Sequence, residues 1–468
     1  MNYRGKLLFP ILNSQFSILN LHITLPSPVF FLFSLSFCLS AADYTLSDCL
    51  NKALESNPEI EQAKKHLEAS GYQAKQAKTF FYPTTDMTAS TGTVSESSSI
   101  RFESMPYSSP LTESSGPLVM QIGEKERSEL SVRLSQKVYT GGMLQNKAKA
   151  ASEKEQAAIY ELELRRDQIR HEVIRAFYQL MKAMEMKKVA LAGREQINRH
   201  LQDATNLLNQ GMLMKNELLT IDMKKCDIDL MIIQSEHLIA KTKALLAERM
   251  GLSPQDELTI ESSLSDKPPW PIPSVFLEKN RLRMEQLITK QMISASNAEL
   301  NALKGSELPQ VGLTLSAHHG WPGFISNDPQ WSSWWQAQLQ VSWNVFDMGR
   351  KRLAISEMSA EKEKLESSMQ SLGNKIALDR LNTRLNYEEC RKNTEIASKK
   401  VASAQENFRI VEDQFHSGTA TNATFLDAQT DLTKAGMEQA VAMADLRIAW
   451  ADFLMSLGEI KHFLKKIE

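Results

Sequence analysis

WQAQLQVSWNVFDMGR, residues 335–350, alternates with a period of two. In an extended strand Trp335, Ala337, Leu339, Val341, Trp343 and Val345 fall on one face and Gln336, Gln338, Gln340, Ser342 and Asn344 on the other, because successive side chains of a strand point to opposite sides. About ten alternating residues also suffice to cross a hydrocarbon layer when the strand is tilted, and an aromatic residue near an end suits the interface with water. Phe346-Asp347-Met348-Gly349 then breaks the strand, and a very long helical pattern begins. The expectation is a membrane strand, greasy on one face and lining water on the other, fused to a rod.

The same sequence of signals occurs earlier in the chain. Leu130, Val132, Leu134 and Val138 alternate with Ser131, Arg133, Ser135 and Lys137 ahead of Gly141-Gly142. Weaker strand patterns cover residues 84–94 and 311–317, and residues 95–128 have the Ser, Pro, Glu and Gly content of a loop. From Met143 to Gln210 the only glycine is Gly193, and no proline follows Gly142 until Pro254. That is a rod of about 100 Å. Ile169, Val173, Ala176, Leu180, Ala183, Lys187, Ala190, Arg194, Ile197, Leu201, Ala204 and Leu208 step by alternating fours and threes, a heptad seam broken only by Lys187 and Arg194. Gly211 permits a turn, and a helix returns over Met212–Met250 to Gly251.

Gly349, Gly418 and Gly458 each stand 207 residues after Gly142, Gly211 and Gly251. Three landmarks in register predict a tandem duplication. The expected organisation is a first repeat over 43–251 (helices, β-hairpin, long helical hairpin), a linker over 252–273 rich in proline near its end, a second repeat over 274–458 beginning with a helix from about Val275 to Lys304, and a tail over 459–468. Each short helix stacked end to end on a return helix would match one long helix in length.

Residues 1–42 contain no Asp or Glu, carry Arg4 and Lys6, run apolar from Val29 to Leu39 and end in Ser40-Ala41-Ala42. This is the pattern of a cleaved signal peptide; Phe37 before Cys38 argues against a lipoprotein. Export leaves Cys49, Cys226 and Cys390, an odd number whose helical positions keep the last two beyond disulfide reach, so three packed thiols are expected. With 54 Lys and Arg against 56 Asp and Glu, there is no basic field to hold nucleic acid.

Four membrane strands cannot close a barrel, and open edges in lipid leave backbone groups unsatisfied at several kcal/mol each. Copies of the chain must therefore share one; two, three or four copies give 8, 12 or 16 strands.

The order and spacing of several pieces resemble the TolC-like outer-membrane efflux and secretion proteins. They are Tyr44-Thr45-Leu46 with Ala53-Leu54 and Asn57-Pro58, Val138-Tyr139-Thr140-Gly141-Gly142, Val345-Phe346-Asp347-Met348-Gly349-Arg350, and Phe415-His416-Ser417-Gly418-Thr419-Ala420-Thr421 running on to Phe425-Leu426-Asp427-Ala428-Gln429. The resemblance covers nearly all of the chain past residue 42. It implies a homotrimer, mainly α with membrane β: a 12-stranded barrel in the outer membrane continued by a coiled-coil barrel of 12 helices across the periplasm. Such a duct has no catalytic chemistry and no cofactor; it is the exit for an inner-membrane pump (RND or ABC type) and a periplasmic adaptor, in tripartite efflux or type I secretion.

The resemblance also implies residue roles. The turns at Gly211 and Gly418 correspond to the periplasmic tips that meet the adaptor, and Gly142 and Gly349 to the strand–helix junctions. Asp427 stands at a position of the acidic ring that narrows the closed entrance, and Thr424 where some members carry a second aspartate. Glu217 matches an acidic residue that latches the entrance, but the latch's usual tyrosine and arginine partners are Phe415 and Ala420 here. Neither can donate a side-chain hydrogen bond.

Competing readings are weaker. His318-His319, read as a loop pair without a nearby acid, points to surface rather than metal, and His171, His200 and His237 accompany no nucleophile pattern. Trp331, Trp334, Trp335 and Trp343 read as an interfacial belt. A periplasmic adaptor or a fibrous coiled-coil protein would share the rod but leaves the alternating strands and the 207-residue offset unexplained. The transported substrate is not written in the chain.

Overall fold

The structure, a computed structural model, describes residues 43–96, 99–102, 118–121, 124–256, 258–260, 282–323 and 330–462. The expected signal peptide, most of the linker, residues 275–281 of the expected helix and the end of the tail lie outside these. In chain order the elements are β1 (Asp43–Tyr44), α1 (Leu46–Ser56), α2 (Pro58–Thr79), β2 (Thr84–Thr93), β3 (Ser99–Phe102), β4 (Leu118–Gln121), β5 (Glu126–Tyr139), α3 (Met143–Asn209), α4 (Lys215–Arg249), β6 (Thr259–Ile260), α5 (Met284–Gly305), β7 (Gln310–Trp321), β8 (Ser332–Ser342), α6 (Arg350–His416) and α7 (Asn422–Leu457), followed by a 3-10 turn at Ile460–His462.

The rod forms because α3 and α6, 67 residues each, contain no proline and can bury an apolar seam on neighbours of equal reach. Helix α3 packs against α2 and α4 on one side and α5 and α7 on the other, and α6 packs against α5 and α7. Asn57, between α1 and α2, donates its Nδ2–H to the Arg249 carbonyl at the end of α4 (2.9 Å). Gly458, at the end of α7, lies against the Arg283 side chain at the start of α5. Short helices therefore meet the return helices end to end.

Lys187 and Arg194, the two interruptions of the seam, reach α4: Lys187 Nζ lies 2.9 Å from Glu236 and an Arg194 guanidinium nitrogen 3.9 Å from Asp229. Both pairs are centred on the turn at residues 211–212, as an antiparallel hairpin requires. The seam's apolar members are buried or half-buried. Ile169, Val173, Phe177 and Leu180 of α3 cluster with Leu246 of α4 and Met250 at its cap, Trp450 and Leu454 of α7, and Leu46, Cys49 and Leu50 of α1. Each large side chain fully buried this way contributes about 1.5–3 kcal/mol. Burial, with Asp48 beside it, pushes the Cys49 thiol up to about 12. All three thiols are free, but Cys226 is exposed, which corrects the expectation of three packed thiols. It lies off the seam, two residues before buried Ile228.

The membrane-type strands form one four-stranded antiparallel sheet, ordered β2-β5-β7-β8 and open at both edges. Register puts Met87, Val132, Ala317 and Trp335 in one row across all four strands, and Thr84, Ser135, Thr314 and Gln338 in a row on the opposite face. β8 runs over Ser332–Ser342 rather than reaching Val345. Its partner β7 begins at Gln310, opposite Ser342, so nothing is left to pair with Trp343, Asn344 and Val345. Trp343 instead donates its ring N–H to the Glu307 carbonyl (2.9 Å).

Three other local differences emerged. β3 and β4 pair within the stretch read as loop, and β6 pairs in parallel with β1 inside the expected linker. The described part of the helix expected from Val275 begins only at Met284.

Candidate functional site

Two regions carry the residues singled out in the sequence: the sheet and the turns at the far end of the rod. On the polar face of the sheet, Gln336, Gln338, Gln340 and Ser342 stand opposite Ser316, Thr314, Gly312 and Gln310. Asn344 lies beyond the strand. The same face carries Asp86 opposite Arg133, together with Glu129. His318 belongs to β7, not to a loop, and it has an acidic partner: its Nδ1 is 2.6 Å from a Glu129 carboxylate oxygen, while its ring stacks on Trp334. Trp334 therefore faces the polar side, apart from exposed Trp331, Trp335 and Trp343. No group of three or more potential metal ligands occurs among the described residues.

On the other face Met87, Leu130, Val132, Leu315, Trp335, Leu339 and Val341 are exposed. Trp335 is 76% accessible and Leu339 68%. Exposed apolar rows of this size mark contact with lipid or protein. Gly142 and Gly349, both left-handed, start α3 and α6 directly below the sheet.

At the other end Gly211 and Gly418 have φ of 75° each and close the α3–α4 and α6–α7 turns. A cleft of about 650 Å³ separates them, lined by Asp203, Met212, Glu217, Phe415, Ala420 and Asn422 among others. The Glu217 carboxylate accepts from the Met214 backbone N–H (3.2 Å) and so caps its own helix. Thr424 bonds to Thr421, which caps α7. Asp427 is exposed, its neighbours Leu426 and Ala428 buried, and it has no ion-pair partner among the described residues.

Phe415 turns inward and packs against His200 and Phe425. The structure thus brings Phe415 and the Glu217 backbone to one cluster and leaves Thr424 and Asp427 on an open face. The residues that join this cluster, His200 and Asn422, carried no functional reading in the sequence. The spacing of Phe408 and Phe415, seven residues apart on one helix, was the available signal.

The sequence profile of the Outer membrane efflux protein family matches residues 49–219 and 284–459. Among curated relatives, the probable efflux pump outer membrane protein TtgC of Pseudomonas putida is 24% identical over 212 residues, 43% of this chain and 42% of that protein. The antibiotic efflux pump outer membrane protein ArpC of the same organism matches to the same extent. This chain therefore spans under half the length of the curated relatives it matches.

Among solved structures, the outer-membrane channel OprN superposes with a TM-score of 0.73 at 17% identity, covering 88% of this chain and 90% of that one. The outer membrane protein VceC of Vibrio cholerae gives 0.72 at 14%, covering 88% and 96%. At such identities these two establish the fold. The TolC-like resemblance is borne out across both halves of the chain: this is an outer-membrane protein reaching into the periplasm, and it belongs to the outer membrane efflux protein family.

Proposed function

We propose that the chain is one subunit of a trimeric exit duct, in which 12 strands, four per copy, close a barrel in the outer membrane and the helices continue it across the periplasm. One observation carries the reading. The four-stranded sheet is amphipathic, is open at both β2 and β8, and runs directly into the two 67-residue helices. An apolar face that meets lipid forbids open edges, and copies joined β8 to β2 remove them. Three copies follow from the family resemblance.

The helical layer is uncovered at its sides too: Leu353, Leu378, Leu381, Leu385, Ile396 and Ile410 are all exposed and fall within about 80° of arc on α6 at 100° per residue. In this reading Gln336, Gln338, Gln340 and Ser342 face the lumen. The turns at Gly211 and Gly418 meet a periplasmic adaptor serving an inner-membrane pump, and Asp427 narrows the entrance with its two symmetry mates. The common offset of 207 residues, the equal long helices and the matching element order support a tandem duplication over 43–251 and 274–458.

The test is the mass of the detergent-extracted protein by light scattering. Three chains per particle, with conductance in planar bilayers, is the expected result. A monomer, or a water-soluble rod in the periplasmic extract, would overturn the duct in favour of an adaptor or fibrous protein.

A further inference from the structure

His200 is 3% exposed at the end where all four long and return helices converge. Its ring stacks on Phe425 of α7 with centroids 3.9 Å apart and meets Phe415 of α6 edge-on at 4.8 Å. Its Nε2 lies 2.7 Å from the Asn422 side-chain oxygen, and Asn422 Nδ2 donates to the Glu217 carbonyl of α4 (3.3 Å). With the Asn422 amide donating to Glu217, its oxygen faces the imidazole, so Nε2 carries the hydrogen and donates. Nδ1 then holds a lone pair, with no hydrogen-bond partner among the described residues. His200 belongs to the α3–α4 hairpin; Phe415, Asn422 and Phe425 belong to the other. The imidazole is one tie between the two, beside the Asn422 bond to Glu217.

We propose that His200 is a proton-operated clasp between the hairpin tips: neutral, it holds the α3–α4 and α6–α7 turns together; protonated, it lets them part. A second proton has to go onto Nδ1. There it creates a charge on a ring packed between phenylalanines, which water solvates better once the tips separate. The charged groups around the ring come from three elements: Asp203 on α3, Glu217 on α4 with its carboxylate engaged in capping, and His416 on α6. α7 presents only Asn422 and Phe425, and its Asp427 is on the exposed side.

Burial is the largest influence and holds His200 below the ordinary imidazole range, opposed by Asn422 and Asp203 and reinforced by His416. The sign follows. A ring less basic when packed than when exposed favours the packed tips fully above about pH 6.5, and that preference is lost as pH falls through the packed-state value. A single linked proton changes the packed-to-parted ratio by at most about tenfold per pH unit. The clasp rests on these contacts alone; its role in opening a duct rests on the function proposed above.

Hydrogen exchange of the full chain in detergent, followed by mass spectrometry from about pH 7.5 to about pH 5 and corrected for intrinsic exchange, tests it. Peptides covering 196–222 and 408–428 are expected to lose protection together as pH falls in the wild type, up to about tenfold per unit. His200→Gln, which retains an N–H donor but does not titrate, should be flat; His416→Gln should keep the wild-type slope. If His200→Gln loosens the tips at every pH, the slope is still the readout. A wild type without pH dependence, or a His200→Gln variant with the wild-type slope, overturns the clasp. Bilayer conductance at the same pH values separates the two ideas: an exchange slope that depends on His200 without a conductance change supports the clasp and counts against the duct entrance.

Discussion

Among the described residues Asp427 has no ion-pair partner, as is also true of Asp203, Asp222, Glu412 and Asp431 near the tips, while Glu217 and Asp413 are engaged by backbone or arginine. An unpaired carboxylate keeps its charge available to passing ions. If copies of Asp427 converge on an axis, their mutual repulsion and shared attraction for cations govern selectivity. Asp427→Asn is expected to lower the preference for cations, read as a shifted reversal potential across a salt gradient; an unmoved potential would remove Asp427 from the ion path.

The chain disclosed Asp427 only through its family resemblance, and it left His200 unmarked. A lone histidine beside a heptad seam carries no pattern of its own. Its contacts come from residues more than 200 positions away, and only the antiparallel packing of α3 on α7 makes them neighbours. Glu129 and His318 escaped in the same way, joined by strand register across β5 and β7 rather than by spacing.

Elements were far more legible. Long helices without proline, a heptad seam with two interruptions and alternating strands are local patterns, and each became the element expected. Their ends were less so, because partners decide them: β8 stops where β7 stops, not where the alternation stops. The glycine turns show how different two similar residues become once packed. Gly211 and Gly251 have φ of 75° and 73°. A methyl group on Gly211 meets nothing within 4 Å, whereas on Gly251 it would sit 2.4 Å from the Ser56 carbonyl oxygen, at the joint where α4 abuts the α1–α2 junction. Gly211→Ala is expected to cost only the left-handed strain, about 1–2 kcal/mol. Gly251→Ala adds a backbone collision and should lose several kcal/mol more, roughly the range of the most disruptive point changes. Thermal inactivation rates of the two variants compare them directly, since unfolding of large proteins is commonly irreversible. Equal rates would mean that the joint yields freely.

For the whole molecule the decisive question is which face of the sheet meets lipid. Leu339 and Gln338 are consecutive residues of β8, both exposed, and they point to opposite sides. They share a depth along the strand, so one substitution on each separates face from position. Leu339→Arg places a cation on the apolar face, at a cost of about 2–4 kcal/mol if that face lies near the middle of the bilayer. Gln338→Arg places the same cation on the polar face, where water solvates it. Leu339→Arg is therefore expected to reduce the amount of folded protein recovered in the outer membrane. Gln338→Arg should assemble normally and shift single-channel selectivity toward anions. The soluble alternatives predict otherwise, because an arginine on a water-exposed sheet is harmless on either face. Equal recovery of the two variants would thus argue against a lipid-facing sheet, and with it against a barrel shared among copies.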